Sequence, residues 1–151
     1  MNTAKNKLIY TLGFLGLIPF IVSSLAELMQ VESLFGIQPL DLLITYGAII
    51  LTFLGGVLWG RALHRAESEP TNALLVLSNA FAILAWLTLL LDSSAWSLGL
   101  QMAGFATLLF FEQKLARSSA MTSYMGYYRI RLILTSAVIV CELLVFWNHI
   151  L

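Results

Sequence analysis

The sequence predicts an all-α integral membrane bundle of five transmembrane helices, with the N-terminus cytoplasmic and the C-terminus outside. Three observations carry that prediction. Of 151 residues, 60% are hydrophobic and only 11% are charged, where soluble domains carry about 25% charged and about 45–50% apolar residues. The apolar residues gather into five long runs, and all eight Lys and Arg fall on one side when those runs are threaded as crossings. A soluble domain of this length leaves roughly 30% of its chain surface in water, too much for a chain this apolar. The mean hydropathy of +0.89 agrees.

A crossing needs about 20 mostly apolar residues at about 1.5 Å rise each. The runs at 8–29, 42–63, 73–91, 95–111 and 130–150 meet that length or approach it, so residues 1–151 read as one five-span membrane domain. The first run follows Lys5 and Lys7 and contains Gly13, Gly16 and Pro19. Pro19 removes a helical donor, which predicts a kink. Ser24-Leu25-Ala26 resembles a signal-peptide cleavage site, but the apolar stretch exceeds the roughly 7–15 residues of a signal core, so the run is taken as a true span. The second run ends in Arg61, and the polar segment after it contains Pro70, a helix terminator. Asp92-Ser93-Ser94 makes runs three and four antiparallel neighbours. The segment 114–128 carries Met121, Tyr124, Met125 and Tyr128 at helical spacing, which predicts a short interfacial helix.

Orientation follows from charge. Lys5, Lys7, Arg61, Arg65, Lys114, Arg117, Arg129 and Arg131 lie on one side, and Glu32, Asp41 and Asp92 on the other. The positive-inside rule makes the cationic side cytoplasmic. Aromatic residues support the boundaries. Tyr10, Trp59 and Tyr124 fall at the inner interface, and Tyr46, Trp96 and Trp147 at the outer one, where amphipathic rings sit at headgroup level.

Net charge is zero, so no nucleic-acid partner is expected, since such binding needs a basic face. Cys141 stands alone in an apolar run, which gives neither an intramolecular disulfide nor metal-ligand spacing. His64 and His149 fall on opposite sides, no Gly-rich phosphate loop is present, and Ser118-Ser119 has no base beside it. Neither a metal nor a cofactor is expected, and no catalytic set is found. The expectation is a non-enzymatic protein.

Small residues repeat in the second span as Ala48, Thr52, Gly56 and Gly60. Such a ridge lets another helix approach closely, either inside the bundle or in a homodimer or partner complex. Ionisable residues inside spans are expensive and mark candidate sites. Glu142 lies 14 residues after Tyr128, roughly 21 Å up the helix, and Gln101 on span four falls at a similar height. Glu112 and Arg131 come level near the inner interface, where an ion pair is expected. Asn79, on a stripe with Asn72 and Trp86, is placed beside that pair. The expected polar core thus has two levels, Gln101 with Glu142 above and Glu112, Arg131 and Asn79 below. Two uses stand open, structural cement or a site for a ligand, proton or ion.

Three segments resemble a membrane family, the domain-of-unknown-function family 3429 of transmembrane-protein-69-like proteins. They are Gly16-Leu-Ile-Pro-Phe20, Tyr46-Gly-Ala-Ile-Ile-Leu-Thr-Phe-Leu-Gly-Gly-Val-Leu-Trp-Gly60 and Tyr128-Arg-Ile-Arg-Leu-Ile-Leu-Thr135. They fall in spans one, two and five, and the middle one is the most distinctive. Similar members often carry a polar or basic residue where this chain has Leu58, so chemistry at that position is not expected here. The resemblance implies a bacterial inner-membrane or mitochondrial home and no established reaction. Three functions follow as expectations. The leading one is a small module that binds or conducts a small solute or proton past Glu142. The others are an accessory subunit docked through the span-two ridge, and a lipid or quinone binder with Trp86, Phe105 and Phe110 lining a groove.

Overall fold

The structure, a computed structural model, describes residues 3–63, 71–118 and 123–150. Among these residues it is all-helical: α1 (Thr3–Leu15), α2 (Ile18–Leu28), α3 (Pro39–Leu63), α4 (Thr71–Thr88), α5 (Ser94–Ser118) and α6 (Ser123–Ile150). His64, Arg65, Pro70, Ser119 and Met121 lie outside the described residues.

Among the described residues four helical stretches are long and apolar enough to cross a membrane: Lys7–Leu28, Pro39–Leu63, Ser94–Lys114 and Tyr128–His149. The third expected span is a shorter apolar helix, Asn72–Thr88. Its 17 residues reach about 26 Å, against about 30 Å of hydrocarbon. That helix stops three residues before the apolar run does. Thr88 Oγ1 donates to the Ala85 carbonyl (2.7 Å) and Ser97 Oγ donates to the Thr88 carbonyl (2.7 Å). Those bonds close the end of α4 and leave Leu89, Leu90 and Leu91 exposed in the turn.

The break at Pro19 is fuller than a kink. Gly16 and Leu17 form a turn that separates α1 from α2, and Pro19 sits in the first turn of α2, where a missing N–H costs nothing. The far end of α2 closes as a Schellman motif, with Val31 N–H on the Ala26 carbonyl (2.9 Å) and Gln30 N–H on the Glu27 carbonyl (3.0 Å). A tight turn follows, in which Leu34 and Ile37 exchange backbone hydrogen bonds around Phe35 and Gly36, both at positive φ (54° and 79°).

No separate interfacial helix forms from 114–128 in the described part. α5 runs on to Ser118, and Tyr124, Met125 and Tyr128 belong to the opening of α6. Continuous helix keeps the backbone bonds of those residues internal, which a break into a third helix would give up.

α3 is the central helix. It packs on α2, α4 and α5, while α6 closes the bundle against α5, α2 and α1. Leu43, Leu51 and Leu58 of α3 are fully buried together with Phe20, Phe105, Leu98 and Val145. The exterior is apolar as well: Leu12, Phe53, Val76, Trp86, Phe110 and Trp147 are all exposed. An oily outside around a partly polar inside fits a lipid solvent, since a soluble protein seldom shows apolar patches of that extent.

The glycines that bring helices together are not those of the expected ridge. A Cβ on Gly55 would lie 3.1 Å from the Ser78 carbonyl oxygen, so this glycine sets the α3–α4 approach. A Cβ on Gly104 would press on the side-chain methyls of Leu51 and Leu84, so this glycine makes room for leucines of α3 and α4. Gly56 and Gly60 have open space around them, Thr52 is exposed, and only Ala48 of that ridge is buried.

Candidate functional site

Two polar levels are stacked along the inward face of α6, where Arg131, Thr135, Val138, Glu142 and Val145 are all buried. Arg131 and Glu142 are 11 residues apart, about 16 Å along the helix.

The level at Glu142 is built from four helices. Gln101 of α5 is fully buried, and its Nε2 donates to the Ile44 carbonyl of α3 (2.8 Å) and to Thr88 Oγ1 of α4 (2.9 Å). The Thr88 hydroxyl donates in turn to the Ala85 carbonyl, and Ser97, one turn before Gln101, caps the Thr88 carbonyl. One amide therefore ties α3, α4 and α5 together. In an apolar interior an unmade bond of this kind is costly.

Gly47 of α3 opens the space between Gln101 and Glu142. A Cβ there would overlap Gln101 Oε1 and lie 3.0 Å from Glu142 Oε1. Glu142 itself is fully buried. Neither of its carboxyl oxygens has a hydrogen-bond partner among the described residues, and neither has Gln101 Oε1. The amide and the carboxyl thus stand against one glycine without bonding each other. Three acceptor oxygens gather where no described donor reaches them. The arrangement can accept a proton, a hydrogen-bond-donating solute or a small cation. Among the described residues no group of three His, Cys, Asp or Glu is placed to hold a metal.

The level at Arg131 is an ion pair. Arg131 Nε donates to Glu112 Oε2 at 3.0 Å, both side chains buried. Arg131 Nη2 and Glu112 Oε1 have no partners among the described residues. Asn79 stands apart from this pair, exposed on α4 with its amide on the Leu75 carbonyl one turn back (2.9 Å). The opposite end of the bundle carries a contact between His149 Nε2 and Glu27 Oε1 at 3.0 Å. Tyr46, expected in an outer aromatic belt, turns inward: its hydroxyl donates to the Gly16 carbonyl (3.1 Å) and its ring meets Phe20 edge-on at 5.0 Å. Trp86 and Phe110 face outward, so they do not line a groove with the buried Phe105.

Gly47, Thr88 and Ser97 were not singled out by the sequence reading. Ser97 lies four residues before Gln101, a spacing that places both on one face of α5. Gly47 precedes Gly55 by eight residues, which puts them on one face of α3.

Apolar outward faces around buried polar contacts define a polytopic helical membrane protein. The chain belongs to the family described as protein of unknown function (DUF3429), whose model matches residues 5–147. It is similar to Transmembrane protein 69 of Xenopus tropicalis, with 42% identity over 80 residues. That stretch is 52% of this chain and 31% of the relative, so the chain matches about a third of the relative's length. No solved structure matches the chain.

Proposed function

We propose that this chain is a non-enzymatic, five-crossing protein of a bacterial inner membrane that holds a proton, or a small hydrogen-bond-donating solute, at Glu142. The observation that carries the reading is a trio of buried acceptors with no partner among the described residues, Gln101 Oε1 and the two Glu142 oxygens, around the gap at Gly47. An acceptor cluster in a low-dielectric interior lacks a donor, and either a proton or a donor solute supplies one. A purely structural cluster would pair its oxygens, as Gln101 pairs its nitrogen. The orientation rests on the clustering of all eight cations on one side of a five-crossing path.

The test compares wild type with Glu142→Gln in liposomes carrying a pH-sensitive dye, together with infrared spectra of both. Wild type is expected to dissipate an imposed pH gradient faster than empty vesicles and to show a carboxyl carbonyl band. Glu142→Gln should lose both signals. Identical fluxes and spectra in the two proteins would remove the site.

A second reading rests on Gly56 and Gly60, which present open space on the outer face of α3. Another helix fits there, from a partner protein or a second copy. Gly56→Leu should then disrupt a cross-linked assembly while leaving the gradient experiment unchanged.

A further inference from the structure

A cavity of about 200 Å³ lies among α1, α2, α3, α5 and α6, separate from the Glu142 level. Its wall is apolar, with Phe20, Phe53, Phe105 and Leu134 among its lining, apart from Arg131 and Thr135. Leu12 and Phe53 also line it and are exposed on the lipid-facing surface, so entry is lateral, from the membrane. Arg131 lines the cavity at 7% exposure and bonds Glu112 through Nε, with no other acceptor on its guanidinium among the described residues.

We infer that this cavity binds a neutral, carbonyl-bearing ring carried on an apolar tail, the chemistry of a membrane quinone, with the ring carbonyl accepting from Arg131. Size argues for a ring: an apolar cavity of about 150 Å³ already takes up benzene. Phe20 and Phe105 meet edge to face at 6.3 Å, and such aromatic walls favour a flat π-system. Charge argues for a neutral head. Glu112 already neutralises Arg131 at 3.0 Å, and its Oε1, unpartnered among the described residues, opposes a second anion. A phosphate would bring charge that the pair cannot balance, whereas a carbonyl asks only for the spare N–H. A bare hydrocarbon chain would leave the N–H groups that Arg131 turns to the cavity without an acceptor.

The probe is an azido-benzoquinone with a ten-carbon tail, photo-cross-linked to the full chain in nanodiscs and mapped by peptide mass spectrometry. Saturable labelling on α1, α3 or α6 is expected. Arg131→Lys keeps the charge opposite Glu112 but loses the guanidinium fork, and should weaken binding about tenfold. Ile50→Trp, which fills the cavity, should abolish labelling. Glu142→Gln should bind as wild type, so failure of the Glu142 site and failure of this one are distinguishable. Equal competition by a ten-carbon alkylbenzene without carbonyls would overturn the inference, as would displacement by an anionic phospholipid in preference to unlabelled quinone. Unchanged binding in Ile50→Trp would do the same, and if Arg131→Lys does not fold, the competitor and the Ile50 variant decide.

Discussion

Gly47 and Gln101 occupy one space: a Cβ on the glycine would overlap the amide oxygen, so the missing side chain on α3 is what lets an α5 amide reach the Ile44 carbonyl. That reach, continued to Thr88, holds three helices at a common level. Glu142 closes the same space from α6, and the polar site is therefore a consequence of one glycine's position.

Gly47→Ala should expel the Gln101 side chain and destabilise the bundle by about 1–3 kcal/mol, the usual cost of overpacking with added loss of hydrogen bonds. Gly56→Ala meets open space and should be neutral or slightly stabilising, because an interior glycine costs a helix about 0.5–1 kcal/mol relative to Ala. Unfolding in mixed micelles titrated with SDS separates the two. Equal effects would mean that Gly47 does not shape the site.

The Arg131–Glu112 pair predicts a strongly non-additive cycle. Glu112→Leu leaves a buried guanidinium without its carboxylate and should cost about 3–5 kcal/mol. Replacing both residues by Leu removes the stranded charge and should recover most of that loss. The same unfolding titration on the two single variants and the double variant measures the coupling. Additive losses would place the pair in water.

How far the sequence could be read follows from which signals survive without a partner helix. Hydropathy alone marks the long helices, because a lipid-facing surface demands apolar runs whatever the packing. Counting rises of about 1.5 Å put Gln101 level with Glu142 and Glu112 level with Arg131; the structure sets the first two against Gly47 and joins the second two. Rotation about a helix axis was the harder quantity. Two small-residue ridges run along α3, Gly47 with Gly55 and Ala48 with Gly56, one residue and therefore about 100° apart. Periodicity does not say which ridge faces inward, and the inner one is the first. Asn79 turns outward for the same reason, its amide satisfied by its own helix. Thr88 and Ser97 carry little signal, since hydroxyls bond their own helix carbonyls almost anywhere.

Phe35 is held at φ 54° beside Gly36 at 79° and is 96% exposed. Two positive φ values in succession define a turn that favours Asn-Gly, and a bulky residue in the left-handed region is strained by about 1 kcal/mol. Phe35→Asn should therefore raise stability by about that amount in detergent. If liposomes reverse the sign, the ring is anchoring the turn in the headgroup layer, so the comparison between the two media reads out the anchor directly.

Tyr46 bridges the break in the first crossing. Its hydroxyl donates to the Gly16 carbonyl at 3.1 Å, at the turn where α1 stops and α2 begins. Tyr46→Phe keeps the ring against Phe20 and removes only the donor. Polar contacts between membrane helices average about 0.6 kcal/mol, so amide hydrogens around Gly16 and Leu17 should exchange about threefold faster, with those of α3 unchanged. Hydrogen-exchange mass spectrometry resolves the two segments. Uniform acceleration along the chain would show instead that the hydroxyl supports the whole bundle, and no change would show that α1 and α2 are held by their apolar contacts with α6 and α3 alone.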